Sequence, residues 1–183
     1  MQVERYDVQW RIDPSRERFD GDATIRFAHD GGEIELDSIG LEIDGAELDG
    51  RPVESRTGPA PDRLRLGPAP AGARTLRLRF RGPIPTGSLV GIYRSRFGDG
   101  QIVTTMCYPT GCARLLPCFD RPDLKAVFRV SVEVGADDEV VFNTLPESVV
   151  ALGGGRKRIA FPTPVSVRQS RSPPRMTRSA RRG

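Results

Sequence analysis

Polar and apolar residues alternate one by one along most of this chain. Tyr6, Val8, Trp10 and Ile12 are interleaved with Arg5, Asp7, Gln9 and Arg11. Successive side chains on a strand point to opposite faces, so this period of two predicts a half-buried strand. The same pattern recurs in Ala23-Ile25-Phe27, Ile34-Leu36, Ile39-Leu41-Ile43, Leu76-Leu78-Phe80 and Ala126 to Val134. Turn-forming residues punctuate these runs: Asp30-Gly31-Gly32, Asp44-Gly45, Asp49-Gly50, Gly58 to Pro61 and Gly67 to Ala71. Short strands at this spacing, with no long helical pattern, predict an all-β domain, an antiparallel β-sandwich or similar. Gly82 to Phe119 is less regular and reads as a long loop over the sheets. Arg158 to Phe161, after Gly153-Gly154-Gly155, reads as a last strand.

That grammar stops near Pro162. The remaining stretch, TPVSVRQSRSPPRMTRSARRG, is rich in Arg, Ser and Pro, and its only sizeable apolar residues are Val165, Val167 and Met176. Such a segment buries too little surface to offset its ordering entropy, so disorder is predicted for residues 162–183. The predicted organisation is one β domain, residues 1–161, followed by this tail.

Charge sharpens the division. The chain carries 28 basic and 24 acidic residues, yet no acid lies beyond Glu147. Residues 156–183 hold nine basic residues and no acid, while the rest sets 19 basic against 24 acidic, a net of −5. The folded part is therefore acidic, and the overall basic balance does not describe it. No aromatic residue follows Phe161 on which a base could stack, which argues against nucleic acid as a partner. No run approaches the roughly 18 apolar residues of a membrane span, and the N-terminus lacks a signal peptide's apolar core. The expectation is a cytoplasmic protein with no membrane contact.

Candidate chemistry is sparse. There is one histidine, His29, beside a predicted hairpin turn, and there are three cysteines, Cys107, Cys112 and Cys118. An odd number of cysteines without secretory context predicts free thiols, and a zinc held by all three would need a fourth ligand. Buried, inert thiols are the expectation. A reactive Cys118 beside Asp120 lacks a nearby base. Asp120, in the proline-bracketed turn Pro117 to Pro122, is expected to accept backbone N–H bonds.

Thr104 to Phe128 reads TTMCYPTGCARLLPCFDRPDLKAVF. Thr104, Thr105, Pro117, Cys118, Asp120, Pro122, Lys125, Ala126 and Phe128 fit, without a gap, the pattern T-T-Q-x-E-x-x-x-A-R, F-P-C-x-D-x-P, K-A-x-F of the aminopeptidase N family of zinc metallopeptidases. Gly91-Ile92-Tyr93-Arg94-Ser95 resembles the family's G-x-Y-x-S, and Asn143 to Pro146 its S-N-M-P turn. Ile12-Asp13, Phe19, Gly21, Ile25 and Phe27 follow its first two strands. The resemblance covers residues 3 to 161 and implies the family's saddle-like N-terminal β domain, with a cis peptide at Tyr108-Pro109.

In that family the following domain carries the chemistry: an H-E-x-x-H helix and a later glutamate bind zinc, and a G-x-M-E-N loop holds the substrate's amino terminus. None of these motifs is present here, so the chain is expected to bind no zinc and to be inactive alone. The resemblance implies that the β domain lends a Gln-x-Glu pair that recognises the substrate's free α-amine. Those two positions fall on Met106 and Tyr108, neither of which is a carboxylate; the family's arginine falls on Ala113, with Arg114 one position late. A tyrosine hydroxyl can still accept a weaker bond from an ammonium. The expected partner is an aminopeptidase catalytic domain, absent or on a separate chain, with peptide substrate only in the full-length parent.

Only two of the 28 basic residues are lysine. That suits GC-rich coding DNA, whose out-of-frame translation is rich in Arg, Ser and Pro, and predicts a truncated or frame-shifted aminopeptidase product. The alternatives are a stand-alone interaction module that binds protein or nucleic acid through its sheet face or basic tail, and the capping chain of a split aminopeptidase.

Overall fold

A computed structural model describes residues 1–58, 62–108, 111–121, 123–163 and 167–168. The strands among them are β1 (Gln2–Arg11), β2 (Arg18–His29), β3 (Gly32–Asp37), β4 (Glu42–Leu48), β5 (Arg51–Pro52), β6 (Ser55–Thr57), β7 (Arg63–Ala69), β8 (Gly72–Pro83), β9 (Gly91–Phe97), β10 (Gly100–Met106), β11 (Lys125–Gly135), β12 (Ser148–Gly153), β13 (Arg156–Phe161) and β14 (Val167–Arg168). A single 3-10 turn, Cys112–Arg114, follows β10. The predicted all-β class is what forms.

The main sheet runs β12-β13-β11-β1-β2-β8-β4-β5, with β14 pairing the start of β11. Its pairs are antiparallel except one: β1 lies parallel to β11, Tyr6 opposite Phe128 and Trp10 opposite Val132. Alternation is the same in both kinds of ladder, so the pattern along the chain carries no sign of this parallel pair.

One face of this sheet is dry and the other wet. Tyr6, Val8, Trp10, Ala23, Ile25, Leu76, Leu78, Phe80, Val130 and Val132 are buried on the dry face. The opposite positions form cross-strand ion pairs: Arg11–Asp22 at 2.5 Å, Arg26–Asp7 at 2.5 Å and Arg81–Glu42 at 2.8 Å. Exposed pairs of this kind contribute little each, but they keep the outer face charged.

The dry face is covered twice. The three-stranded sheet β3-β7-β6 lays Ile34, Leu36, Leu64 and Leu66 against it. The excursion between β8 and β11 adds Ile84, Ile92, Leu115, Leu116 and Phe119 to the same core. This excursion, expected as a loop, contains the hairpin β9–β10, with Gly91 opposite Met106.

One expected turn lies inside a strand, and another is shorter than expected, Pro70-Ala71 alone linking β7 to β8. Asp44-Gly45 is a β-bulge where the β4–β8 register shifts, and Gly67 belongs to β7. Asp49-Gly50 does form a two-residue hairpin turn, with Leu48 opposite Arg51 and positive φ at both turn residues. Apart from Pro162, Thr163 and β14, the tail predicted to be disordered lies outside the described residues, as does the predicted cis junction at Pro109.

Candidate functional site

The residues singled out by the sequence sit where β10 ends and the chain turns back. Along this stretch the strand period continues: Val103, Thr105 and Cys107 are buried, whereas Met106 is half-buried and Tyr108 is 63% exposed. Met106 and Tyr108 are thus two apart on the outward-facing side, Met106 paired with Gly91. Leu89, 74% exposed, and Val90 immediately precede Gly91, the residue opposite Met106.

Two glycines make this geometry possible. Gly91 has φ +78°, and a Cβ there would stand 2.7 Å from the Cβ of Arg114. A Cβ on Gly111 would lie 2.3 Å from the Met106 carbonyl oxygen and 2.9 Å from the Gly91 nitrogen. The 3-10 turn therefore packs against the end of the β9–β10 hairpin at a distance only glycine allows. Of the two candidates for the family's arginine position, Ala113 is buried and Arg114 is exposed.

The turn is tied to the dry face from beneath. Trp10 Nε1–H donates to the Leu115 carbonyl at 3.0 Å, and Ile39 N–H to the Ala113 carbonyl at 2.8 Å. Asp37 and Cys118 exchange backbone bonds of 2.7 and 3.0 Å. At the proline-bracketed turn, the Asp120 N–H donates to the Asp37 carboxylate at 3.0 Å. Burial, together with Cys112 and Asp37, raises the Asp120 carboxyl to about 6. The three cysteines are free and buried, as expected from their odd number, and they lie together. Their separations in sequence gave no signal of this, because it depends on the back-turn at Gly111.

The described residues do not fit a catalytic zinc. His29 is alone, its Nε2 3.1 Å from the Gly32 carbonyl oxygen, and no group of three or more His, Cys, Asp or Glu among the described residues is arranged to hold a metal ion. A hollow of about 370 Å³ beside Asp7, Arg129, Ser131, Glu147 and Thr163 contains neither Met106 nor Tyr108. No helix among the described residues is long and apolar enough to cross a membrane.

Known proteins match this architecture. The family profile described as Peptidase M1 N-terminal domain matches residues 2–167. Probable aminopeptidase 1 of Sulfurisphaera tokodaii is 34% identical over 141 residues, covering 77% of this chain and 17% of that protein. Tricorn protease-interacting factor F2 of Thermoplasma acidophilum is 26% identical over 147 residues, covering 80% of this chain and 18% of its own. The chain spans less than a fifth of the length of these relatives. Among solved structures, the M1 zinc metallopeptidase from Deinococcus radiodurans superposes with a TM-score of 0.77 at 23% identity, over 96% of this chain and 41% of that one. That likeness confirms the fold. The profile match over nearly the whole chain, together with the Sulfurisphaera relative, shows that this chain belongs to the peptidase M1 family as its N-terminal domain.

Proposed function

We propose that this domain is the non-catalytic, substrate-side wall of a zinc aminopeptidase. It acts only together with a catalytic domain, on the same polypeptide or on another. The observation that carries this reading is the outward pair Met106 and Tyr108 at the end of β10, in a chain whose single histidine cannot build a zinc centre. The zinc, held by the catalytic domain, would activate the water that attacks the peptide; the residues here would only receive the substrate's amino terminus.

Tyr108 is the group that would do so. Its hydroxyl can accept a hydrogen bond from an ammonium, and Met106 with Leu89 and Val90 would supply apolar surface around it. A neutral acceptor replaces the family's carboxylate at this position. Amine recognition would therefore be weaker by about 1.5–3 kcal/mol, roughly ten- to a hundredfold in affinity.

The test joins this domain to the catalytic portion of the Sulfurisphaera aminopeptidase and measures peptide hydrolysis. Tyr108→Glu should lower KM about tenfold or more, and Tyr108→Ala should raise it a few-fold, with kcat nearly constant in both. An active chimera whose KM is unmoved by either change would contradict the assignment.

A further inference from the structure

Three thiols converge beneath the back-turn. Cys107, Cys112 and Cys118 are 4%, 4% and 2% exposed, and none is in a disulfide. The backbone brings the first two together. Gly111 N–H donates to the Cys107 carbonyl at 2.8 Å, and a Cβ on Gly111 would stand 3.0 Å from the Cys107 Cα. Cys112 follows directly, and its side chain interacts with those of Cys107 and Cys118.

The three are not equivalent. Cys118 is fixed from both sides by its backbone bonds to Asp37. Cys107 leads straight into Tyr108, the exposed residue at the surface, and the Gly111 back-turn joins it to Cys112 within six residues of chain. Hydrogen bonding to Cys112 and burial push the Cys107 and Cys118 thiols up, while the hydrogen bonds that Cys112 receives from both pull its own thiol down.

We propose that Cys107 and Cys112 form an oxidisable dithiol, a modification site that a small hydroperoxide converts to an intramolecular disulfide while Cys118 stays a thiol. The Cys112 sulfur attacks one peroxide oxygen and the O–O bond breaks. The departing oxygen takes the thiol proton and leaves as water (an alcohol if the peroxide is organic), and Cys112 becomes a sulfenic acid. The Cys107 sulfur then attacks the Cys112 sulfur, an S–S bond forms, and the hydroxyl leaves with the Cys107 proton as a second water. Two thiols are oxidised and one peroxide is reduced. The resulting ring contains Tyr108, so its closure constrains the chain at the exposed end of the site. The proposal does not depend on the function proposed above.

Tryptic mapping decides it, because Cys107 and Cys112 fall in one peptide, Phe97–Arg114, and Cys118 in another, Leu115–Lys125. The full folded chain is treated with hydrogen peroxide, then unfolded and alkylated before digestion. The expected result is Phe97–Arg114 unalkylated and lighter by two hydrogens, with or without an added oxygen on Met106, and restored by dithiothreitol. Leu115–Lys125 should carry one alkyl group. Alkylation of all three cysteines after peroxide would overturn the site, and a cross-link between the two peptides would overturn the pairing. Cys118→Ser should retain the loss of two hydrogens and Cys112→Ser should abolish it; should either variant fail to fold, the wild-type map still decides.

Discussion

The Tyr6 hydroxyl accepts the backbone N–H of Phe119 at 3.1 Å, across 113 residues of sequence, in a buried setting. This bond joins the first strand to the turn that carries the family's most recognisable residues. It ties the Pro117 to Asp120 turn to a tyrosine near the N-terminus. Tyr6→Phe keeps the ring and its stack on Phe128, at 4.7 Å between centroids, but leaves a buried donor without this acceptor. The expected cost is about 1–3 kcal/mol, measured by urea unfolding.

Asp120 gives the domain a pH signature. Its carboxyl is raised from an ordinary 3.8 to about 6, first by burial and then by Cys112 and Asp37. A raised pKa means that the fold favours the protonated form. The contribution is fully present below the unfolded value and is lost as pH climbs through 6. Asp120→Asn removes that loss: it should match wild type near pH 4 and exceed it above pH 6, by about 1 kcal/mol after allowing for solvent screening. Melting temperatures of both proteins from pH 4 to pH 8 check the sign. A variant less stable than wild type at pH 8 would show that the ionised carboxylate is favoured instead.

Gly111→Ala tests the close approach of the back-turn. The added methyl would meet the Met106 carbonyl at 2.3 Å, a backbone atom with little room to retreat. Destabilisation of about 1–3 kcal/mol is expected. Trp10 is the only tryptophan and bonds to Leu115 in the same segment, so its fluorescence reports on this region alone. Emission should shift red in the variant if the segment lifts from the sheet.

An apolar edge predicts association. Val149, Val150 and Leu152 of β12 are exposed at one end of the main sheet, and Leu145 just before it is 86% exposed. Such surface favours contact with other apolar surface. The isolated domain should bind a hydrophobic dye and show a concentration-dependent mass in sedimentation. Replacing Val149 and Leu152 with lysine should reduce both signals.

Much of the fold was legible because one sheet face is dry and the other wet. Trp10, Ile25, Leu78 and Val132 each sit in a clean alternation, and each lies in the core. Legibility failed where that contrast is absent. Strand β12 is exposed at every position, so Ser148 to Gly153 shows no alternation. Strands β9 and β10 set arginines and threonines beside half-buried positions, and they read as irregular chain. Asp44-Gly45 has turn composition but serves as a bulge, which composition alone does not distinguish from a turn. At the site, Met106 and Tyr108 were marked by the family pattern alone; their outward placement comes from β10, in a stretch that read as a loop. The meeting of Cys107 with Cys112 followed from a glycine contact that no spacing rule reveals.

The central proposal is that this M1 domain hydrolyses peptides only together with a catalytic domain. Incubating the purified chain with zinc and a panel of aminoacyl reporter substrates tests it most directly. The account predicts release no faster than in buffer with zinc alone. Turnover that scales with protein concentration and is abolished by a chelator would contradict it.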